Sequence, residues 1–208
     1  MPVSKKIHII SIFLILLSGC IIVKKDNIQD DTEVVNVQLS PKPTIEMSDE
    51  YIRSKKGDMI AFLPKDWFLV DVSEKSSPEI FAVAVNPDYN LSLVFSNLRI
   101  TEAKSSVIKK EGLLGLARLS FDKRAQKTGG SVKQVGKYNL ISIGPQLFAE
   151  YEFTTAGSTN VIKTAVFVSS IDEYYEFSIV PMNIRNNQRP SFKKVDEIFN
   201  SVLATIQY

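Results

Sequence analysis

The sequence predicts an α+β domain with a mostly antiparallel sheet flanked by helices, over residues 57–208. Short apolar runs separated by turn residues predict strands, and two longer segments repeat apolar residues at helical spacing. These segments occur as four strands, a helix, a three-stranded meander and a final helix. Blocks of strands and helices in this order are typical of α+β domains.

Four short strands are predicted in the first half of the domain. They cover residues 59–63, 67–72, 81–85 and 91–98. Turn-forming residues separate two pairs of them, at 64–66 and at 86–88. Trp67, the one tryptophan of the chain, begins the second strand. We therefore expect Trp67 to fill the core beneath the Pro64 turn, and not to serve as a ligand platform.

Two helices are predicted from the spacing of apolar residues. The first covers residues 105–126 and ends before Gly129, although Gly112 and Gly115 weaken its middle. The second covers residues 191–205 and closes the domain. Its apolar stripe is expected to face the core: Phe192, Val195, Phe199, Val202 and Ile206.

The three-stranded meander is predicted over residues 146–181. A two-residue turn at 157–158 and a four-residue loop at 170–173 set its register, with Val166 opposite Phe177. A slip of one residue would scatter the apolar side chains over both faces of the sheet. One apolar face is therefore expected: Leu147, Ala149, Tyr151, Phe153, Ile162, Thr164, Val166, Val168, Tyr175, Phe177 and Ile179.

The first twenty residues have the features of a secretory signal, with residues 1–19 as the signal peptide. Lys5 and Lys6 precede an apolar run, 7–17, that is short for a membrane span. The end of this segment resembles the lipobox of bacterial lipoproteins: Leu17, Ser18, Gly19 and Cys20. The resemblance implies cleavage before Cys20 and a diacylglyceryl group on that cysteine. An uncleaved N-terminal anchor is the alternative.

Residues 20–56 are predicted to form the lipidated cysteine and a flexible tether. The segment is rich in Asp, Lys, Asn, Pro and Ser, which cannot bury enough surface to become ordered. A short strand around 34–37 is the alternative. Lipoproteins of enteric bacteria with aspartate after the cysteine stay in the inner membrane, whereas Ile21 resembles the outer-membrane class. We expect a cell-envelope protein on the outer membrane that faces the periplasm and attaches through Cys20.

The composition of the mature chain excludes several classes of function. Removal of the signal takes the net charge from +2 to 0, because Lys5 and Lys6 leave with it. A neutral chain without a basic block is unsuited to nucleic acid. The single histidine is His8 and the single cysteine is Cys20, so the domain lacks the residues of a Ser-His-Asp triad, a Cys-His pair, a structural zinc site or a disulfide. No cofactor or metal is expected.

Two local features resemble the PsbP-like family, an α-β-α sandwich that includes Ran-binding Mog proteins and DcrB-type envelope lipoproteins. One is the apolar strand followed by Pro-x-x-Trp at 62–67, and the other is the closing helix with Phe-Asn-Ser-Val at 199–202. The resemblance covers about residues 57–208. It implies a domain that binds or scaffolds proteins, without a shared catalytic centre. No functional residue of the family is therefore assigned to this chain.

Glu150 and Glu152 are the candidate residues for an enzymatic alternative. They lie on one face of a strand, about 7 Å apart by strand geometry, and paired carboxylates can hydrolyse glycosidic bonds. The predicted register places Glu152 opposite Lys163, which favours an ordinary cross-strand ion pair. We expect no enzymatic activity.

The polar segment 183–190, before the last helix, is the candidate contact surface. Its candidate contact residues are Arg185, Asn187 and Arg189. The leading hypothesis is a lipid-anchored, non-enzymatic module that binds or assembles an envelope protein partner. The alternatives are a carboxylate-dependent glycan hydrolase and a carrier of small ligands or lipids, which would need an apolar cavity between sheet and helices.

Overall fold

The computed structural model describes residues 35–72, 77–182 and 188–208. The strands are β1 (Val35–Leu39), β2 (Met47–Arg53), β3 (Ile60–Pro64), β4 (Phe68–Val70), β5 (Ile80–Val85), β6 (Leu91–Asn97), β7 (Val132–Ile143), β8 (Gln146–Thr155), β9 (Val161–Val168) and β10 (Tyr174–Pro181). The helices are α1 (Glu102–Lys127) and α2 (Phe192–Leu203). No described helix is long and apolar enough to cross a membrane.

Eight strands form one sheet in the order β1-β7-β8-β9-β10-β6-β5-β4, and β2 and β3 form a second, two-stranded sheet. Within the large sheet β1 and β7 are parallel and the other neighbouring strands are antiparallel. Helix α1 contacts β7, β8 and β9, and α2 contacts β3. This architecture confirms the predicted α+β class with a mostly antiparallel sheet.

Two hydrophobic clusters lie on opposite faces of the large sheet. One joins the sheet to α2 and the small sheet, with Phe177 and Phe199 stacked 5.1 Å apart between ring centroids. The other joins the sheet to α1 through Leu116, Tyr151 and Phe153. Both faces of the central strands are therefore buried, so β8 to β10 carry apolar residues on both sides.

The predicted tether is wrong over residues 35–56. Residues 35–39 form β1, which extends the edge of the sheet beside β7, and residues 47–53 form β2. Val37 and Leu39 pack against the core. The connection between the two strands is also held, because the amide of Thr44 donates to the Ser201 hydroxyl at 3.0 Å. This segment forms strands with few apolar residues, because pairing with a neighbouring strand supplies its backbone hydrogen bonds.

The register between β9 and β10 differs from the predicted one by one residue. Tyr175 lies opposite Phe167 and Phe177 opposite Ala165. The connection holds five residues, 169–173, and Asp172 adopts a φ of 60° within it. The predicted single apolar face is therefore divided, with Tyr175 and Phe177 of β10 on the α2 side and Tyr151 and Phe153 of β8 on the α1 side.

Other elements follow the prediction with two exceptions. The strands at 59–63, 81–85 and 91–98 and both helices are present near the expected bounds, and Trp67 is buried. Strand β7 was not predicted, because Gly136 and polar neighbours interrupt its alternation and the structure has a register shift there. Helix α1 is also broken at Gly112, whose φ of 63° and ψ of −145° lie outside the helical region.

Candidate functional site

One end of the sheet carries a cleft of about 610 Å³ that contains part of the predicted contact segment. The β5–β6 turn, the segment before α2 and the first turns of α2 line it. Trp67 and Ile198 contribute apolar side chains that are almost fully buried, and Asp88, Arg189 and Lys194 contribute charges. The cleft therefore has an apolar base and a charged rim.

Two asparagines fix the β5–β6 turn that forms one wall of the cleft. The side-chain oxygen of Asn86 accepts from the amides of Asn90 and Leu91 at 3.0 and 2.9 Å. Asn86 Nδ2 donates to Asn90 Oδ1, and Asn90 Nδ2 donates to the carbonyl of Gln188 at 3.0 Å. The turn thus holds the segment before α2 in place, a role that the turn pattern at 86–88 does not predict.

A smaller hollow of about 180 Å³ lies on the other side of Arg189 and Pro190. Phe192 forms part of its wall with 58% of its surface exposed, in contrast to the core position predicted from the helical stripe. The other four residues of that stripe are buried. Ser191 caps the helix by accepting from the Lys194 amide, so Phe192 is at the first helical position, where it projects past the core.

We call this region the loop surface. It consists of Trp67, Asn90, Arg189, Pro190, Phe192 and Lys194. Arg189 lies between the cleft and the hollow and donates to the Thr159 hydroxyl at 3.0 Å. Of the other predicted contact residues, Arg185 and Asn187 lie outside the described residues. The same holds for the lipobox residues Leu17, Ser18, Gly19 and Cys20, and for the signal peptide.

Glu150 and Glu152 form an ion cluster and not a separated pair of free carboxylates. Lys163 Nζ lies 3.5 Å from a carboxylate oxygen of each glutamate and 2.6 Å from Asp196 Oδ1. Burial raises the pKa of Glu150, and Lys163 offsets only part of this effect. Burial lowers the pKa of Lys163, but Glu150, Asp196 and Glu152 outweigh it and raise that pKa overall. The cluster contains the expected cross-strand ion pair of Glu152 with Lys163, and both glutamates have this lysine as a cationic partner.

A third depression, of about 380 Å³, lies between α1 and the uncovered part of the sheet. Its base mixes valines with serines, and its walls hold two sets of ion pairs. Arg124 pairs with the buried Glu176, and Glu79 pairs with both Lys123 and Lys127. The depression is open to solvent and combines this mixed base with charged walls, whereas the carrier alternative requires an apolar cavity between sheet and helices.

The described residues contain no group of three His, Cys, Asp or Glu side chains placed to hold a metal ion. The side chains of the loop surface are two cations, one amide, a proline ring and two aromatic rings. Such groups can bind a polar or apolar segment of another molecule. None of them forms the nucleophile and base pair that covalent catalysis needs.

Solved structures share this fold at low sequence identity. Cyanobacterial PsbP (CyanoP) from Synechocystis sp. PCC 6803 is 14% identical, with a TM-score of 0.56 over 76% of this chain and 92% of that chain. The Ran-binding protein Mog1p from Saccharomyces cerevisiae is 13% identical, with a TM-score of 0.50 over 78% of this chain and 96% of that chain. No family model and no curated protein sequence matches the chain. The likeness supports a PsbP-like domain.

Proposed function

We propose that the chain is a lipid-anchored envelope lipoprotein whose PsbP-like domain binds a protein partner and catalyses no reaction. The single observation that carries the binding role is the loop surface, where the exposed Phe192 stands beside Arg189 on a fixed platform. Aromatic and arginine side chains supply most of the energy in protein interfaces. A preorganised platform also reduces the entropy lost on binding.

The likeness to Mog1p supports the same proposal at the level of the fold. That protein is described as Ran-binding and has a comparable domain. The ion cluster around Lys163 adds support, because it engages both glutamates that an enzyme would need free. Together these features favour a binding module over a hydrolase.

The lipid anchor rests on the lipobox resemblance at 17–20. A diacylglyceryl group with a further acyl chain gives stable membrane attachment, whereas one chain is marginal. We place the protein in the cell envelope, on the outer membrane and facing the periplasm, because Ile21 follows Cys20. Between Cys20 and Val35 the chain has 14 residues, which can reach about 45–50 Å when extended.

Replacement of Phe192 tests the proposed contact. We expect Phe192→Ala to reduce partner recovery in a pull-down from solubilised membranes about tenfold, the effect of losing an aromatic interface anchor. Tyr51→Ala is the matched control, because Tyr51 is an aromatic residue with 54% exposure outside the loop surface. The idea fails if no partner exceeds background, or if both variants recover it equally.

Replacement of Cys20 tests the anchor independently of any partner. We expect Cys20→Ala to abolish lipidation and to release a soluble or unprocessed form. Processing and membrane fractionation of the variant are compared with those of the parent chain. Unchanged processing and fractionation would contradict the lipoprotein proposal and leave the binding proposal standing.

A further inference from the structure

The end of the domain opposite the loop surface combines exposed cations with an exposed apolar side chain. Lys55 and Lys56 lie in the turn between β2 and β3, and Arg99 follows β6. Ile171, in the β9–β10 connection, is 54% exposed. These side chains meet at one end, because Lys56 pairs with Glu173, two residues after Ile171. We call Lys55, Lys56, Arg99 and Ile171 the basic tip.

The carboxylates near the basic tip are more shielded than its cations. Lys55, Lys56 and Arg99 line a hollow of about 210 Å³ together with Glu79 and Glu173. The Lys56 side chain is 57% exposed, against 24% for Glu173 and 15% for Glu79. Both glutamates already have cationic partners, and Glu79 has two of them, Lys123 and Lys127. Glu79 therefore neutralises little of the positive charge of the basic tip.

Two cations of the basic tip have no ion-pair partner in the part of the chain that the structure describes. Within residues 35–72, 77–182 and 188–208, neither Lys55 nor Arg99 forms an ion pair. Asp58, in the same β2–β3 turn, and the exposed Asp172 add two carboxylates to this end, whereas Arg53, whose guanidinium lies against Gly57, adds a cation. The cations of this end therefore outnumber Asp58, Asp172 and Glu173 by one charge. The zero net charge expected for the mature chain thus conceals a local excess of positive charge. The sequence did not reveal it, because the residues come from three separate connections.

We propose that the basic tip is a second, protein-based contact with a membrane surface that contains anionic phospholipids. Lys55, Lys56 and Arg99 would meet the phosphates, and Ile171 would enter the boundary between headgroups and acyl chains. An apolar residue beside basic ones is the composition expected for such contacts. The 14 residues between Cys20 and Val35 are long enough for this end of the domain to reach the bilayer.

This orientation follows from the strand directions and gives the domain two distinct ends. Strand β9 runs from the loop surface, at Thr159 and Val161, to the connection that carries Ile171. Its eight residues separate the two ends by about 26 Å. With the basic tip on the bilayer, the loop surface points away from it and stays open to a partner. The inference rests on the membrane attachment proposed above.

Vesicle binding of an unlipidated chain of residues 21–208, which lacks Lys5, Lys6 and the apolar run 7–17, tests the basic tip without the signal peptide. The probe is a vesicle of equal parts phosphatidylcholine and phosphatidylglycerol, and pure phosphatidylcholine is the reference. We expect partitioning onto the anionic vesicles that weakens as salt is added. Lys55→Gln and Arg99→Gln should each weaken it about fivefold, and Asp172→Asn should strengthen it. Ile171→Ala should also weaken it, through the loss of apolar contact.

Lys193→Gln is the matched control, because Lys193 is exposed on α2 near the loop surface and has no ion pair among the described residues. It should leave partitioning unchanged. Equal binding to both vesicle types, or equal losses in Lys193→Gln and Lys55→Gln, would overturn the inference. A failure here would leave lipidation of Cys20 untouched, since fractionation of the lipidated chain measures that step separately.

Discussion

Lys163 shows how one buried cation organises a whole cluster of carboxylates. It joins Glu150 and Glu152 on β8 to Asp196 on α2, and its Nζ lies 5.3 Å from the ring centroid of Phe199. The cluster ties α2 to the sheet directly below the exposed Phe192. A buried charge left without its partner is strongly destabilising. Lys163 therefore supports the loop surface without belonging to it.

Removal of this lysine should destabilise the fold in a pH-dependent way. We expect Lys163→Met to lower the free energy of unfolding by about 3–5 kcal/mol at neutral pH, measured by urea denaturation. Because the folded-state pKa of Glu150 is raised, its charge is the first that the variant can lose on acidification. The deficit should therefore shrink as the pH falls from neutrality through the raised pKa of Glu150.

The double variant with Glu150→Gln serves as the control for this prediction. It removes the most buried carboxylate together with its partner and should recover part of the lost stability. In the parent chain, the stability that Lys163 contributes is lost as the pH rises and not as it falls. Since its folded pKa lies above the ordinary 10.5, that contribution is complete below pH 10.5 and is lost as pH rises through the raised value. A deficit independent of pH would contradict this account of Lys163.

At the level of elements, the β9–β10 register is the clearest difference between sequence and structure. A single apolar face is expected for the meander only if the opposite face of the sheet meets solvent. Both faces are in fact covered, by α1 and by α2 with the small sheet, so a one-residue shift exposes few apolar side chains. Phe167, Tyr175 and Phe177 are all buried in the register that the structure adopts. The length of the connection, rather than the apolar pattern, determines it.

Paired cysteines test this register directly. In the structure Thr164 lies opposite Ser178, and their hydroxyls are 2.9 Å apart. We expect Thr164→Cys with Ser178→Cys to form a disulfide on mild oxidation, in a Cys20→Ser background and measured by mass spectrometry. The matched pair of Thr164→Cys with Ile179→Cys should stay reduced, because these side chains lie on opposite faces. Oxidation of the second pair alone would favour the register predicted from sequence.

Local turn chemistry explains which elements the sequence predicts well. The turns at 64–66, 86–88 and 157–158 contain proline, asparagine, aspartate or glycine, and the strands beside them lie near the expected positions. Strands β1, β2 and β7 lack such signals or interrupt their own alternation. These strands form by pairing with sheet edges and packing on surfaces that distant residues supply. A local sequence pattern does not contain this information.

At the scale of the whole molecule, the sequence points to only part of the proposed loop surface. The predicted contact residue Arg189 lies on it, whereas Phe192 is predicted in the core and Asn90 has no predicted role. Helical spacing alone cannot distinguish a stripe residue at the first turn, which projects past the core, from one further along the helix. The basic tip is also not predicted from the sequence, because the sheet brings together residues from three connections that are distant in the chain.

The two ends together suggest how the domain would work in the envelope. The basic tip would rest on anionic lipid, and the loop surface would face outward at the other end of β9. The proposed lipid on Cys20 would keep the domain at the membrane while the basic tip sets its orientation. Partner binding would thus depend on the loop surface and orientation on the membrane on the basic tip. Substitutions could change one without the other.

The most direct test of the central claim is photo-crosslinking in living cells with a photoreactive amino acid at position 192. The account predicts a discrete covalent adduct between the chain and one protein partner. The same amino acid at position 51, which is comparably exposed in the wild-type chain, should give no such adduct. The absence of any protein adduct at position 192, or the same adduct at both positions, would contradict a partner-binding role for this surface.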